Sequence, residues 1–257
     1  MTIHRIYHPH TLERDTSLEL GEEDLRYLKS VLRLKEGDKL VLFDGMGSEY
    51  GTRIEEFCGH TVSLKVFDKR SIPFPDSGIT LAQSLPKGTK MDFIIQKATE
   101  LGVSRIIPFV SSRSIPRLTR EKAAAKHKRW KKISIEASKQ CGRTKIPELS
   151  ELSGFEAMLD LPSDDALRII LWEAEAERGL KVILRDSKDR GIRDFFIIVG
   201  PEGGFSWQEI DTSVRQGFVT ASLGRNILRV ETASLAILSI LQYELGTIGS
   251  LEEGVVG

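Results

Sequence analysis

The chain has only two cysteines, Cys58 and Cys141, too far apart for metal-ligand spacing. A reducing cytoplasm suits such sparse cysteine use best. The histidines His4, His8, His10, His60 and His127 form no ligand-spaced cluster, so no metal is expected. No apolar run approaches the length of a membrane span, which speaks against a membrane protein. The polar opening Met1-Thr2-Ile3-His4-Arg5 reads as the start of a first strand rather than a signal peptide. Internal repeats and low-complexity tracts are absent. Net charge is missing too, because 37 Lys and Arg balance 37 Asp and Glu.

The balance is not local. Between Ser111 and Lys145 twelve Lys or Arg face two Glu, a surplus of ten that the rest of the chain cancels. A basic field of this density attracts phosphates through counterion release whatever the total charge, although a charge run can equally be a solvated helix face. With 257 residues, 40% of them hydrophobic, the chain can build two modest domains or one large one.

Residues 1–72 read as a small β-rich domain. Glu22-Glu23-Asp24 starts a helix whose apolar face is Leu25, Leu28, Val31 and Leu32. Val41 and Phe43 alternate into a turn at Asp44–Gly47. Tyr50, Thr52 and Ile54 alternate beyond it, and Cys58-Gly59-His60 turns the chain into Val62, Leu64 and Val66. Residues 73–78, with Pro73, Pro75 and Gly78, read as a linker. From 79 to 249 strands alternate with helices, which predicts a largely parallel α/β layer; 250–257 reads as a tail. The expected strands are Ile79–Gln83, Arg105–Val110, Leu167–Trp172, Phe195–Val199 and Phe218–Ser222. Met91–Leu101 is helical with Phe93, Ile94, Ala98 and Leu101 inward, and a surface helix is expected over Gly179–Asp186. The basic helix runs from about Glu121 to Cys141 on a buried stripe of Trp130, Ile133 and Ala137.

Two glycine-rich loops at the carboxyl ends of strands stand out, where open α/β sheets hold ligands. In Gly200-Pro201-Glu202-Gly203-Gly204-Phe205 the glycines leave amides unshielded. Ser206 and Glu209 then form a capping box. The second loop, Leu223–Arg229, leads through Val230-Glu231-Thr232-Ala233 into a helix apolar on most sides, which should be buried, against a second subunit if need be. A tight turn before a capped helix needs no ligand to make sense. A Rossmann oxidoreductase would carry its glycines after the first strand, not here.

Five ordered segments carry a resemblance over essentially the whole chain: Ser84–Gly88 with Met91–Gly102, Ser111–Ser114, Glu136–Arg143, Gly200–Phe205 and Leu223–Ala233. They resemble the SPOUT superfamily of S-adenosyl-L-methionine-dependent RNA methyltransferases. Within it the chain is most similar to the RsmE family, which makes N3-methyluridine in 16S ribosomal RNA of the small ribosomal subunit. The resemblance implies a PUA-like β-barrel at the N-terminus, a trefoil-knotted α/β domain after it, and a homodimer. It implies donor contacts from Leu171, Trp172, Glu173, Gly200, Glu202 and Gly203. Leu223, Gly224, Ile227, Leu228 and Arg229 would close the other side.

Uracil N3 must lose a proton before or during attack on the methyl group. Arg229 is the preferred stabiliser of the resulting anion and Glu231 the candidate base, although Arg229 could organise the knot and Glu231 could serve only as a first-turn carboxylate. RNA contacts would come from Arg113, Arg117, Gln140 and Arg143, with Lys97 and Arg33 ranked lower. The alternative is a non-catalytic RNA-binding or ribosome-assembly protein on the same fold.

Overall fold

The structure, a computed structural model, describes residues 4–73, 77–115 and 118–249. The chain divides into two compact units, one of residues 1–74 and 138–146, the other of 75–137 and 147–257.

The first unit is built on strands β1 (Arg5–Tyr7), β2 (Ser17–Leu20), β3 (Lys39–Phe43), β4 (Ser48–Cys58) and β5 (Thr61–Ser71). They pair in the order β1-β3-β4-β5-β2, parallel only between β1 and β3. Alternation holds in β4 and β5, where Tyr50, Thr52, Ile54, Val62, Leu64 and Val66 are buried. In β3 the expected alternation of Val41 and Phe43 holds only for Phe43, which is buried: Leu40 and Leu42 fill the core while Val41 is half-buried. Both parities of Leu40–Phe43 are apolar, so the run itself cannot choose. Pairing chooses, because Leu40 and Leu42 stand opposite the buried Thr52 and Tyr50. Asp44 makes the turn that follows, its Oδ1 accepting the amides of Met46 at 2.7 Å and Ser48 at 3.0 Å.

A second correction concerns the first helix. It is α-helical only over Glu22–Arg26 (α1), then widens into a π-helical turn, Tyr27–Val31. The Leu32 amide reaches back to the Tyr27 carbonyl at 3.0 Å, and the wider turn carries Val31 out to 63% exposure. Residues 138–146 were not expected in this unit. They are tied to the β3–β4 turn by bridges between Lys145 and Gly45 or Met46, and by the Ile146 amide on the Gly45 carbonyl at 3.0 Å.

The second unit is a seven-stranded parallel sheet ordered β12-β10-β11-β6-β7-β8, with β9 also on β7. In chain order it runs β6 (Ile79–Ser84), α2 (Lys90–Glu100), β7 (Arg105–Val110), α3 (Arg120–Cys141), β8 (Glu148–Leu149), β9 (Ser153–Gly154) and α4 (Phe155–Leu159). Then follow β10 (Leu167–Leu171), α5 (Leu180–Asp189), β11 (Phe195–Val199), α6 (Trp207–Arg215), β12 (Val219–Ala221) and α7 (Val230–Glu244). The central strand β11 is buried at all five positions because helices cover both faces. Its Phe195, Ile197 and Val199 face a core with α2, α5 and α7, and Phe196 and Ile198 face one with α4 and α6.

Trp130 and Ala137 are buried on α3 and Ile133 packs beside them, as their spacing predicts. On α2 the inward set shifts: Met91, Ile94, Ile95 and Ala98 are buried, while Phe93 is 44% exposed. The helix α7 is not wrapped on all sides within the chain, since Tyr243 is 67% and Ile240 38% exposed. Its inner face carries Val230, Ile237, Leu238 and Leu241.

Candidate active site

Three loops meet beyond the carboxyl ends of β10, β11 and β12. They wall a cavity of ≈ 580 Å³, within the range of small-molecule sites. Leu171, Trp172 and Glu173 enter from the first loop, 200–205 form the second, and 222–229 the third.

The second loop is shaped by Gly204, whose φ of +65° closes a turn in which its own amide donates to the Pro201 carbonyl at 2.9 Å. The loop ends in the capping box of α6: the Glu209 amide donates to Ser206 Oγ at 3.2 Å, and the Ser206 amide to Glu209 Oε2 at 2.9 Å. Glu209 does more than cap. Its carboxylate also accepts the Ser112 amide at 2.7 Å and the Ser112 hydroxyl at 2.8 Å, stitching the loop after β7 to the glycine loop. Arg113 adds a second stitch, Nη1 to the Gly203 carbonyl at 2.9 Å. In the third loop Ser222 Oγ accepts the Gly224 amide at 3.2 Å, with Gly224 at a φ of +131°. The Ser222 backbone is held from both sides by the chain entering α5, its amide donating to the Arg178 carbonyl and its carbonyl accepting the Leu180 amide, at 3.1 Å each.

All eleven residues expected around the donor line this one cavity. They differ in exposure: Leu171 is buried, Ile227 is 86% exposed, and the Arg229 side chain is open at the N-cap of α7. Arg229 makes no ion pair among the described residues. Glu231 is not on the cavity wall. Its Oε2, shut off from solvent, faces the Lys90 ammonium at 3.2 Å. Its own backbone amide and Lys90 hold its carboxyl below the usual range, which makes it a poor proton acceptor.

Lys90 was not singled out in the sequence. It is the first residue of α2, lines the cavity, and bridges Glu231 to Glu202, the latter at 2.9 Å. Glu202 also accepts the Lys87 amide at 3.2 Å. Burial would raise the Glu202 carboxyl, but Lys90 and the backbone amides outweigh it and hold it low. Glu202, and less strongly Glu231, raise the Lys90 ammonium in return. One cation thus pins the glycine loop to the start of α7. Lys90→Met is expected to weaken ligand affinity at this cavity severalfold, and Lys90→Arg to restore most of it, as titration calorimetry would show.

The expected RNA contacts are spread over both units. Arg33 is exposed and sits at a φ of +57° beyond the π-helical turn of the first unit. Gln140 is exposed and Arg143 half-buried, also in the first unit, and burial lowers the Arg143 guanidinium's pKa. In the second unit Lys97 is engaged with Glu100 at 2.8 Å, and Arg113 alone is stitched to a cavity loop. Arg117 lies outside the described residues. Among the described residues no group of three or more His, Cys, Asp or Glu could hold a metal, and no helix is long and apolar enough to cross a membrane.

A parallel α/β unit with a ligand cavity at its carboxyl edge, joined to a small β unit, defines a class when set beside known proteins. Residues 74–242 match the RNA methyltransferase domain family and residues 20–67 the RNA methyltransferase PUA domain family. The chain belongs to the ribosomal RNA small subunit methyltransferase E family. It is 32% identical to that methyltransferase of Bacillus subtilis over 91% of this chain and 92% of the relative. With that of Rickettsia conorii it shares 33% identity over 95% and 96%. Among solved structures it is similar to ribosomal RNA small subunit methyltransferase E of Neisseria gonorrhoeae bound to S-adenosyl methionine. There the TM-score is 0.84 and the identity 32%, over 94% of this chain and 98% of that one.

Proposed function

We propose that this protein transfers a methyl group from S-adenosylmethionine to N3 of a uridine in 16S ribosomal RNA of the small subunit. The observation that carries it is the convergence of three sequence-distant loops on one cavity, walled by glycine backbone, the apolar Leu171, Leu223 and Leu228, and the carboxylates of Glu173 and Glu202. That lining fits the donor: amides suit the polar edges of adenine, leucines its faces, and carboxylates the cationic ammonium and sulfonium. When bound, the donor supplies the electrophilic methyl group.

The chain's own residues do the rest. Arg229, exposed at the rim and free of ion pairs among the described residues, is the cation that stabilises the uracil anion as N3 loses its proton to water at the open rim. Glu231, ionised and tied to Lys90, supports the site through that pair rather than by taking the proton. The target base must be unpaired or flipped to present N3. RNA contacts come from Arg113, exposed in the second unit, and from Gln140, Arg143 and Arg33, exposed or half-buried in the first. The family's trefoil knot belongs to this reading, supported by β10 lying between β12 and β11 and by Ser222 being bonded to Arg178 and Leu180 at the entry to α5. So does a homodimer, supported by the open Ile240 and Tyr243 on α7, and a cytoplasmic location, supported by the ribosomal RNA methyltransferase family.

The test is direct. Purified protein, labelled donor and small subunits lacking the modification should yield labelled N3-methyluridine. Confirmed donor binding without labelled RNA would leave the non-catalytic RNA-binding reading in its place.

A further inference from the structure

The geometry points to Trp207 as the platform on which an unpaired nucleobase of the RNA stacks beside the transfer site. This rests on the methyltransferase reading and specifies how that site grips its substrate. Trp207 is 72% exposed, more than any other Phe, Tyr or Trp among the described residues. The position does not demand it. As first residue of α6, it needs no apolar side chain for the helix to form or pack. Leaving an indole in water forgoes much of the burial such a side chain normally makes.

Its setting is rigid. The Ser206–Glu209 capping box fixes the backbone on which it stands. Its ring packs edge-to-face with Trp172 at 4.7 Å between centroids and 83° between planes. In a T-shaped pair one ring presents its edge and the other one face, so Trp172 leaves at least one face of the largely exposed Trp207 indole uncovered in either arrangement. Trp172 lines the cavity, which places the open indole one side chain from its wall.

A cation is tied to the same loops. Arg113 is exposed and bonded to the Gly203 carbonyl, while its neighbour Ser112 is bonded to Glu209 on α6. An exposed indole and a guanidinium held on loops that are bonded to one another match the two parts of a nucleotide, base and phosphate. Because the target must leave its stack to expose N3, single-stranded bases are the partner this surface fits.

The test compares wild type with Trp207→Ala and Trp207→Phe. Intrinsic fluorescence should be quenched by a single-stranded uridine-containing oligoribonucleotide, and Trp207→Phe should lose most of that quenching. With unmodified small subunits as substrate, Trp207→Ala should raise KM between about fivefold and a hundredfold, the range of one base–aromatic stack, with less effect on kcat. Trp207→Phe should recover part of the loss, and donor affinity by calorimetry should stay at the wild-type value. Equal quenching and equal KM in all three proteins would overturn the assignment. So would a loss of donor affinity in Trp207→Ala, which would mean the ring only props Trp172. A variant that turns monomeric in light scattering while wild type is dimeric would assign Trp207 to a subunit contact instead. The quenching does not depend on methyl transfer, so quenching without any methylation would uphold the platform while the methyltransferase reading fails.

Discussion

Gly204→Val should abolish detectable binding of S-adenosylmethionine while the five-stranded first unit stays folded. Two effects coincide at this residue. Its φ of +65° lies in the left-handed region, which a β-branched side chain adopts only under strain. A Cβ built there would stand 2.9 Å from Glu173 Cδ and closer still to Oε1 of the same carboxylate. Either the Glu173 side chain leaves its place on the cavity wall or the turn closed by the Gly204 amide on Pro201 opens. Opening the turn displaces the wall that Gly200 and Gly203 form, and moving Glu173 takes its carboxylate off that wall. Gly203 offers a graded comparison, because a Cβ there would meet Arg113 Cβ at 3.3 Å without a positive φ. Gly203→Ala should therefore lose much less affinity than Gly204→Val. Calorimetry with the donor checks both, and circular dichroism checks that the β-rich unit survives. Wild-type affinity in Gly204→Val would show that the cavity is not the donor site.

The first glycine loop was legible because its chemistry is local: a strand, a cluster of glycines and a capping box follow one another within the fifteen residues 195–209. The alternating β4 and β5 and the buried stripe of α3 were legible for the same reason. What escaped depends on distant partners. The face of β3 is decided by β4, not by its own apolar run. The π-helical turn that ejects Val31 leaves no mark in the spacing of Leu25, Leu28 and Leu32. The short elements β8, β9 and α4 lie below the length at which periodicity speaks, although Phe155, Met158 and Leu159 are all buried. At the site, Lys90 looks like any helix-start lysine until Glu202 and Glu231 arrive from far down the chain. Glu209 was visible as a capping residue, but its bonds to Ser112 span 97 positions and have no local signature.

Those bonds make Glu209→Gln the second large effect, and it falls on stability. The carboxylate is buried and accepts four hydrogen bonds, from the amides and hydroxyls of Ser112 and Ser206. The two backbone donors address different oxygens, the Ser112 amide Oε1 and the Ser206 amide Oε2. Glutamine has one oxygen, so in either orientation its NH2 faces a backbone N–H that cannot turn away. The hydroxyls can rotate to accept; the amide cannot. One unsatisfied buried donor, plus the loss of charge-assisted bonds, costs about 2–4 kcal/mol. That lowers the Tm of the parallel-sheet unit by roughly 4–16 °C at neutral pH. The sign of the pH dependence follows from the same bonds. Burial alone would raise the Glu209 carboxyl, but the bonds from Ser112 and Ser206 outweigh it and hold it below its ordinary value. A depressed carboxyl stabilises the folded state fully above its unfolded pKa, about 4.3 for Glu, and loses that contribution as pH falls through the folded value. The gap between wild type and Glu209→Gln should thus be widest at neutral pH and narrow below about pH 4. Thermal unfolding of both proteins across that range measures it. A gap independent of pH would mean that the buried carboxylate is not the element tying the Ser112 loop to the glycine loop.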